Sequence, residues 1–247
     1  MSRLVFVTGG SRGIGKGIVT SLVKNGYNVA FSYNSNSNYA NLVIKELAHY
    51  KGKVIAVQMS IESRSSVKRA ISEVVERLGQ IDILVNNAGI AQEKPFDTIT
   101  DDDWNVMLSV NLRGPFSVVQ ELLPYMIKSN WGRIINISSI GGQWGGFNQV
   151  HYAASKAALI NFTQSIAKIY SHHGITSNAI APGLIATDMS ESELKTESGK
   201  KKVEGIPSKR LGTVEDVGSA VTYLSGDDAS YITGQTINLN GGMFFST

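Results

Sequence analysis

Tyr152 and Lys156 stand four residues apart in Tyr152-Ala153-Ala154-Ser155-Lys156, a spacing that puts a phenol and an ammonium on one helix face. A free tyrosine titrates near ~10, so at neutral pH it moves protons usefully only where a nearby cation favours the phenolate. Lys156 is placed to be that cation and to lower the Tyr152 pKa. Tyr-x-x-x-Lys alone is common on surface helices, and its weight here comes from its company. Ser138 and Ser139 close a buried-looking apolar run upstream of it, Asn86-Asn87-Ala88-Gly89 close another, and Asn111 falls between them in a predicted helix.

A second group points to phosphate. Thr8-Gly9-Gly10-Ser11-Arg12-Gly13-Ile14-Gly15 follows the first apolar run and opens a predicted helix with Ile14, Ile18, Leu22 and Val23 on its apolar positions. At a strand-to-helix turn, glycines let the backbone approach a pyrophosphate, and the helix N-terminus offers unpaired N–H groups at the positive end of its dipole. The next run ends Phe31-Ser32-Tyr33-Asn34, with no carboxylate to accept from an adenosine ribose as in NAD sites. Arg12 suits a ribose 2′-phosphate. Both features favour NADP(H) over NAD, while Asn34 could serve either ribose.

The elements that must position these groups follow from apolar patterning. Short runs bounded by turn residues recur at Leu4–Thr8, Tyr27–Ser32, Lys53–Met59, Ile81–Asn86, Gly132–Ser138, Gly174–Ile180 and Gln235–Leu239, with helical spacing between them. Several runs are nearly all apolar, as strands buried on both faces are. The expectation is an α/β fold, a Rossmann-type doubly wound parallel sheet of about seven strands, in a single domain over residues 1–247. Ala186–Gly205 breaks the pattern with Ser, Glu, Lys and Thr. Composition favours an exposed polar loop there, and its place after Ala181-Pro182-Gly183 makes a lid over a ligand crevice the competing expectation.

Composition excludes other classes. Of 247 residues 42% are hydrophobic and 17% charged, which suits a core-forming chain rather than a disordered one. With no Cys, disulfides, thiolate nucleophiles and iron–sulfur clusters are out. The four His are not clustered with carboxylates, so no metal site is expected. A net charge of +3, from basic residues scattered apart from Lys200, Lys201 and Lys202, gives no case for nucleic acid. The N-terminal apolar stretch is too short for a signal peptide or a membrane span, and a cytoplasmic protein is expected.

Taken together, the glycine turn, Asn86-Asn87-Ala88-Gly89, Asn111, Ser139 and Tyr152 with Lys156 closely resemble the short-chain dehydrogenase/reductase family, over essentially the whole chain and in its shorter, single-domain branch. The resemblance implies a catalytic tetrad of Asn111, Ser139, Tyr152 and Lys156. Tyr152 would protonate a carbonyl oxygen, Ser139 orient it, Lys156 tune Tyr152 and hold the nicotinamide ribose, and Asn111 hold a relay water. It implies cofactor contacts at Gly9, Gly10, Ser11, Arg12, Gly13, Ile14 and Gly15, at Asn34, at Asn87, Ala88 and Gly89, at Tyr152 and Lys156, and at Pro182, Gly183, Ile185 and Thr187. Ile61 would pack beside the adenine. Ser60 is a departure, standing where relatives place Asp or Asn against the adenine amino group. Ser139, Gln149 and Tyr152 would meet substrate.

Within the family, Ala181-Pro182-Gly183-Leu184-Ile185-Ala186-Thr187-Asp188-Met189 and Asn148-Gln149-Val150-His151-Tyr152 look most like bacterial 3-oxoacyl-carrier-protein reductases. This implies reduction of a 3-oxoacyl thioester in fatty acid biosynthesis, an acyl carrier protein as partner, and a homotetramer. Asn130 and His173 depart from the arginines such reductases present to the carrier, which leaves a coenzyme A ester or a free ketone open. The alternative is a relative acting on a sugar or secondary alcohol. A binding protein without turnover is disfavoured because the tetrad is complete. Trp144 and Phe147, between Ser139 and Tyr152, suit a pocket mouth and a subunit contact equally.

Overall fold

The computed structural model describes residues 2–187 and 196–246. Seven strands form one parallel sheet in the order β3-β2-β1-β4-β5-β6-β7. They are β1 (Leu4–Val7), β2 (Asn28–Tyr33), β3 (Val54–Gln58), β4 (Ile83–Asn86), β5 (Gly132–Ile137), β6 (Ile175–Pro182) and β7 (Thr236–Leu239). All seven expected runs are strands, displaced at their ends by a residue or two.

The near-continuous apolar runs resolve into two alternating sets. Val5, Val7, Val29, Phe31, Ile83, Val85, Ile135 and Ile137 face one core. On that side pack α1 (Gly13–Lys24), α2 (Ser37–Leu47) and the late helix over Val214–Ser225. Leu4, Phe6, Ala30, Leu84 and Ile134 face the other, against α3 (Arg64–Leu78), α5 (Gly114–Ser129) and α7 (Val150–Tyr170). A strand with one wet face could not carry Val5-Phe6-Val7, because each buried side chain of this size is worth about 1.5–3 kcal/mol in the core.

Between β4 and β5 run α4 (Asp101–Leu108), a wider π turn (Ser109–Arg113) and then α5. The helix predicted around Asn111 is present, and at Asn111 itself it widens into the π turn. Pro115, in the first turn of α5, has no N–H for the carbonyl four residues back, which is that of Asn111, so the α-helical ladder cannot run through this point. A short α6 (Gly141–Trp144) separates β5 from α7.

The expected loop over 186–205 is corrected in its second half, where Glu197–Glu204 is a helix, α8. Its Lys and Glu are strong helix formers, and Lys201 and Lys202 stand in the last turn, where cations favour the dipole. Residues 188–195, and with them Asp188 and Met189, lie outside the described residues. The final helix, α9, is Val214–Ser225.

From β1 the chain moves outward to β2 and β3, then crosses back to β4 on the other side of β1. The connections leaving β1 and β4 therefore diverge at their C-terminal ends and open a crevice, the ligand-binding position of such sheets.

Candidate active site

The crevice floor is locked by Thr8, a buried residue marked in the sequence only as the junction of the first apolar run and the glycine turn. Its Oγ1 accepts from the N–H groups of Asn87 and Ala88, each at 3.0 Å. Asn87 Nδ2 donates back to the carbonyls of Thr8 and Gly9, both at 3.0 Å. The glycine turn is held to β2 by Gly9 N–H to Ser32 Oγ (3.1 Å) and Gly10 N–H to the Ser32 carbonyl (2.9 Å).

Two glycines shape the cradle. A Cβ at Gly15 would stand 2.1 Å from the Gly9 carbonyl oxygen, so only glycine lets the helix start this close to the turn. Gly13 has φ +53°, and a Cβ there would project into open space, with only Thr187 Cγ2 near at 3.9 Å. Helices α2, α3, α4 and α9 are capped by the side chains of Asn36, Ser63, Thr100 and Thr213. Helix α1 begins after Arg12 with no side-chain cap and no carboxylate in its first turn. Its unpaired N–H groups and positive dipole end are left for an anion, and this cradle fits a dinucleotide pyrophosphate.

Ser11 and Ile14 lie half-buried in this turn, and Arg12 is exposed with no ion pair or hydrogen bond to a described side chain. Asn34 is exposed just past β2, its carbonyl accepting from Gln58 Nε2 at 3.0 Å. Ser60 donates its N–H to Ser66 Oγ (3.0 Å), while Ile61 lies against Gly114, where a Cβ would meet it at 2.6 Å. On the far wall, Gly183 N–H donates to the Leu239 carbonyl (2.9 Å), Ile140 N–H to that of Pro182 (2.9 Å), and Ile185 bridges Gly212. Thr187 stands half-buried at the end of the described segment.

The four tetrad positions converge beside this cradle. Ser139 Oγ accepts from Gly141 N–H at 3.1 Å, and a Cβ on Gly141 would lie 3.5 Å from Ser139 Oγ and 3.8 Å from Tyr152 Cε1. Lys156 is buried; its Nζ donates to the Ile137 carbonyl at 2.8 Å and lies 5.8 Å from the centre of the Tyr152 ring. Asn111, fully buried, accepts at Oδ1 from Ile90 N–H (2.9 Å) and donates from Nδ2 to the Ile90 carbonyl (2.9 Å) and Ser155 Oγ (3.1 Å). Its Oδ1 and Lys156 Nζ both border Gly89, at 3.1 and 3.5 Å from a Cβ built there.

Burial pushes the Lys156 ammonium down to about 8 from 10.5. It pushes the Tyr152 phenol up, with the Ser139 hydroxyl opposing. The expectation that Lys156 lowers the Tyr152 pKa is thus corrected for this state: the ammonium is held by the Ile137 carbonyl, and desolvation dominates at the phenol.

Gln149 stands at the start of α7, its Nε2 donating to Glu93 Oε1 at 3.4 Å. Sequence reasoning missed Gln92, Glu93, Lys94 and Asp103, which pack beside this turn; nothing in their spacing could have announced a contact made across separate elements. His151 stands out in the sequence only as part of Asn148-Gln149-Val150-His151-Tyr152, although its place next to Tyr152 is a usable signal. Trp144 is half exposed, edge-on to Phe244 at 6.1 Å, and Phe147 is almost wholly exposed. Among the described residues no His/Cys/Asp/Glu group could hold a metal ion, and no helix is long and apolar enough to cross a membrane.

Residues 3–198 match the family described as short chain dehydrogenase. The chain is 39% identical over 244 residues, 99% of its length and all of the relative's, to a 3-oxoacyl-[acyl-carrier-protein] reductase of Staphylococcus epidermidis. It is 43% identical over 243 residues, 98% of this chain and 97% of the other, to one from Aquifex aeolicus. It is 40% identical over 247 residues, 99% of this chain and all of the other, to an acetoacetyl-CoA reductase of Shinella zoogloeoides. An uncapped helix over a glycine cradle, a phenol and a hydroxyl converging on one glycine, and similarity along the full chain agree: it belongs to the short chain dehydrogenase family, as an oxidoreductase of CH–OH and C=O groups that uses a nicotinamide cofactor.

Proposed function

We propose that this chain reduces a 3-oxoacyl thioester to the 3-hydroxyacyl form with NADPH. The observation that carries this is the convergence of Ser139 Oγ and the Tyr152 ring on Gly141, beside a cradle shaped for a dinucleotide. The relatives support the substrate class: two are named for 3-oxoacyl carrier-protein esters and one for acetoacetyl-CoA, which share a 3-oxoacyl thioester. The bound cofactor supplies the hydride to the carbonyl carbon. Tyr152, kept protonated by burial, gives its proton to the carbonyl oxygen, and Ser139 donates a hydrogen bond to the same oxygen. Lys156 then steadies the phenolate left on Tyr152. Asn111 joins the π turn to α7 through Ser155, whose Oγ also donates to the Tyr152 carbonyl at 2.7 Å. Gln149 borders the substrate side.

The test is NADPH consumption with acetoacetyl-CoA and with acetoacetyl-acyl carrier protein. Turnover of either supports the proposal, and their ratio shows whether Asn130 and His173 leave room for a carrier. No turnover of either above a Tyr152→Phe control rejects it.

Arg12 and the absence of a carboxylate at Tyr33-Asn34 support a cofactor that carries the 2′-phosphate. A charge-assisted bond of about 1.5–3 kcal/mol corresponds to roughly tenfold to a hundredfold in affinity. Arg12→Ala is expected to raise the Kd for NADPH by that factor and leave that for NADH within about twofold, by fluorescence titration. Equal loss for both would reject the assignment.

Self-association into a homotetramer is part of the same reading. An open apolar groove of about 760 Å3 is lined by Val106, Leu108, Leu112, Phe116 and Phe162 across α4, the π turn, α5 and α7, and Phe116 is 43% exposed in the single chain. Light scattering should give the mass of four chains, and a monomer mass would reject this.

A further inference from the structure

His151 is a fully buried imidazole in the first turn of α7, next to Tyr152 in the chain, and the mechanism does not use it. Its Nε2 lies 2.7 Å from Gln92 Oε1. Gln92 Nε2 in turn donates to Asp103 Oδ1 at 3.0 Å. The carboxylate of Asp103 also accepts from Lys94 Nζ (2.5 Å), from Thr100 N–H (2.9 Å) and from Thr100 Oγ1 (2.7 Å), closing the capping box that starts α4.

The direction of each bond follows. An ionised carboxylate only accepts, so Gln92 must turn its amide nitrogen to Asp103 and its oxygen to His151. His151 must then donate from Nε2. In the neutral ring this leaves Nδ1 a bare lone pair, and that atom is buried with no hydrogen-bond partner. A buried polar atom left unpaired is a cost that an aliphatic residue here would not carry. The ring is anchored at one end only, and that end reaches across to another element.

The element it reaches matters. Gln92 and Lys94 lie on the segment after β4 that passes Gly89 and Ile90, where Asn111 is bound. Lys94 N–H donates to the Asn148 carbonyl at 2.7 Å, so the same segment is fastened to the approach of α7 by its backbone as well. Two links thus join the helix that carries Tyr152 to the α4–π turn unit that carries Asn111. The inner one runs Asn111–Ser155, and the outer one His151–Gln92–Asp103.

Resting on the reductase reading above, we propose that His151, acting through Gln92 and Asp103, is a positioning residue that sets the first turn of α7, and with it Tyr152, against the segment over residues 90–94. It touches neither substrate nor cofactor in this role. Its effect belongs in kcat, because a phenol displaced by a fraction of an ångström still binds the same ligands but meets the carbonyl oxygen badly. Glutamine carries a donor at the reach of the imidazole Nε2, and leucine carries none.

The test uses His151→Leu, His151→Gln, Gln92→Leu and the Leu/Leu double variant, with acetoacetyl-CoA and NADPH as probes. Gln92 is only half-buried, so its variant keeps the test alive if His151→Leu does not fold. Expected for His151→Leu and Gln92→Leu is a fall in kcat of at least tenfold with KM for NADPH within twofold. His151→Gln should recover most of kcat, and the double variant should be no worse than the poorer single one. Amide exchange of Lys94, measured on the free protein, should quicken in both leucine variants and return in His151→Gln. Exchange quickened with kcat unchanged, kcat lost with exchange unchanged, or additive losses in the double variant would each overturn the proposal. If the unaltered protein turns over neither thioester, the function falls separately, and Lys94 exchange still decides whether the link exists.

Discussion

Tyr152→Phe is expected to lower kcat for reduction by about 10²- to 10⁴-fold, the usual contribution of a positioned general acid, while NADPH still binds. Only the hydroxyl is removed. The ring keeps its place against Gly141, and nothing in the glycine cradle touches it, so stability and cofactor affinity should hold. Without the phenol, the oxygen of the reduced carbonyl has no matched proton donor, and Ser139 alone can orient it but not replace that proton. The pH dependence has a definite sign. Burial raises the Tyr152 pKa above its ordinary 10.0, so the acid form needed for reduction is fully present at neutral pH. The reverse oxidation needs the phenolate and should rise with pH over the range where reduction is still level. Stopped-flow rates in both directions, with a thermal-shift measurement of NADPH binding, check this. Retained reduction in Tyr152→Phe would remove Tyr152 as the acid.

Lys156→Met should separate stability from activity. In the folded chain the ammonium titrates at about 8 instead of 10.5, because burial strips its water. The folded pKa is the lower one, so between pH 8 and 10.5 the unfolded chain holds more protons and stability due to this group rises with pH. Below pH 8 the penalty of the buried charge is present in full. Relative to the methionine variant, the unaltered protein should therefore gain on the order of 3 kcal/mol across that window. In a chain of this size that is roughly 6–12 °C in Tm. Using the difference between the two proteins cancels every other titrating group and the constant cost of leaving the Ile137 carbonyl without its partner. Activity should fall at least about tenfold, since the phenolate that Tyr152 becomes on giving up its proton would form with no cation to steady it. A difference in Tm that stays flat from pH 7 to 10 would show that Lys156 is not buried as a charge.

How much of this was legible in the sequence differs by kind of interaction. The sheet was, because Val5-Phe6-Val7 and Ile83-Leu84-Val85 are apolar at every position, and only a strand covered on both faces tolerates that. The glycine cradle was, because close approach and positive φ demand glycine at fixed places in a local turn. The four residues of the implied tetrad were named through the resemblance their types and order carry, and the fold brings them together around Gly89 and Gly141. The π turn was not, although Pro115 stood in view; the consequence of a missing N–H depends on whether the helix continues past it. Helix α8 was not, because charge without an apolar stripe reads as loop.

The sequence by itself determined the fold class, the place of the glycine cradle and the candidate residues proposed to handle protons, since each rests on local periodicity, on residues a few positions apart or on a motif they carry. Only the tertiary structure decided the electrostatics and the scaffolding of the site. Lys156 and Tyr152 are adjacent on one helix, yet which of them is shifted, and in which direction, depends on how much water the surrounding strands remove. His151, Gln92 and Asp103 come from three separate stretches, and their hydrogen bonds exist only once α4 and the segment after β4 lie against α7. Desolvation and long-range hydrogen bonding are properties of the packed chain, so the order of residues alone does not contain them.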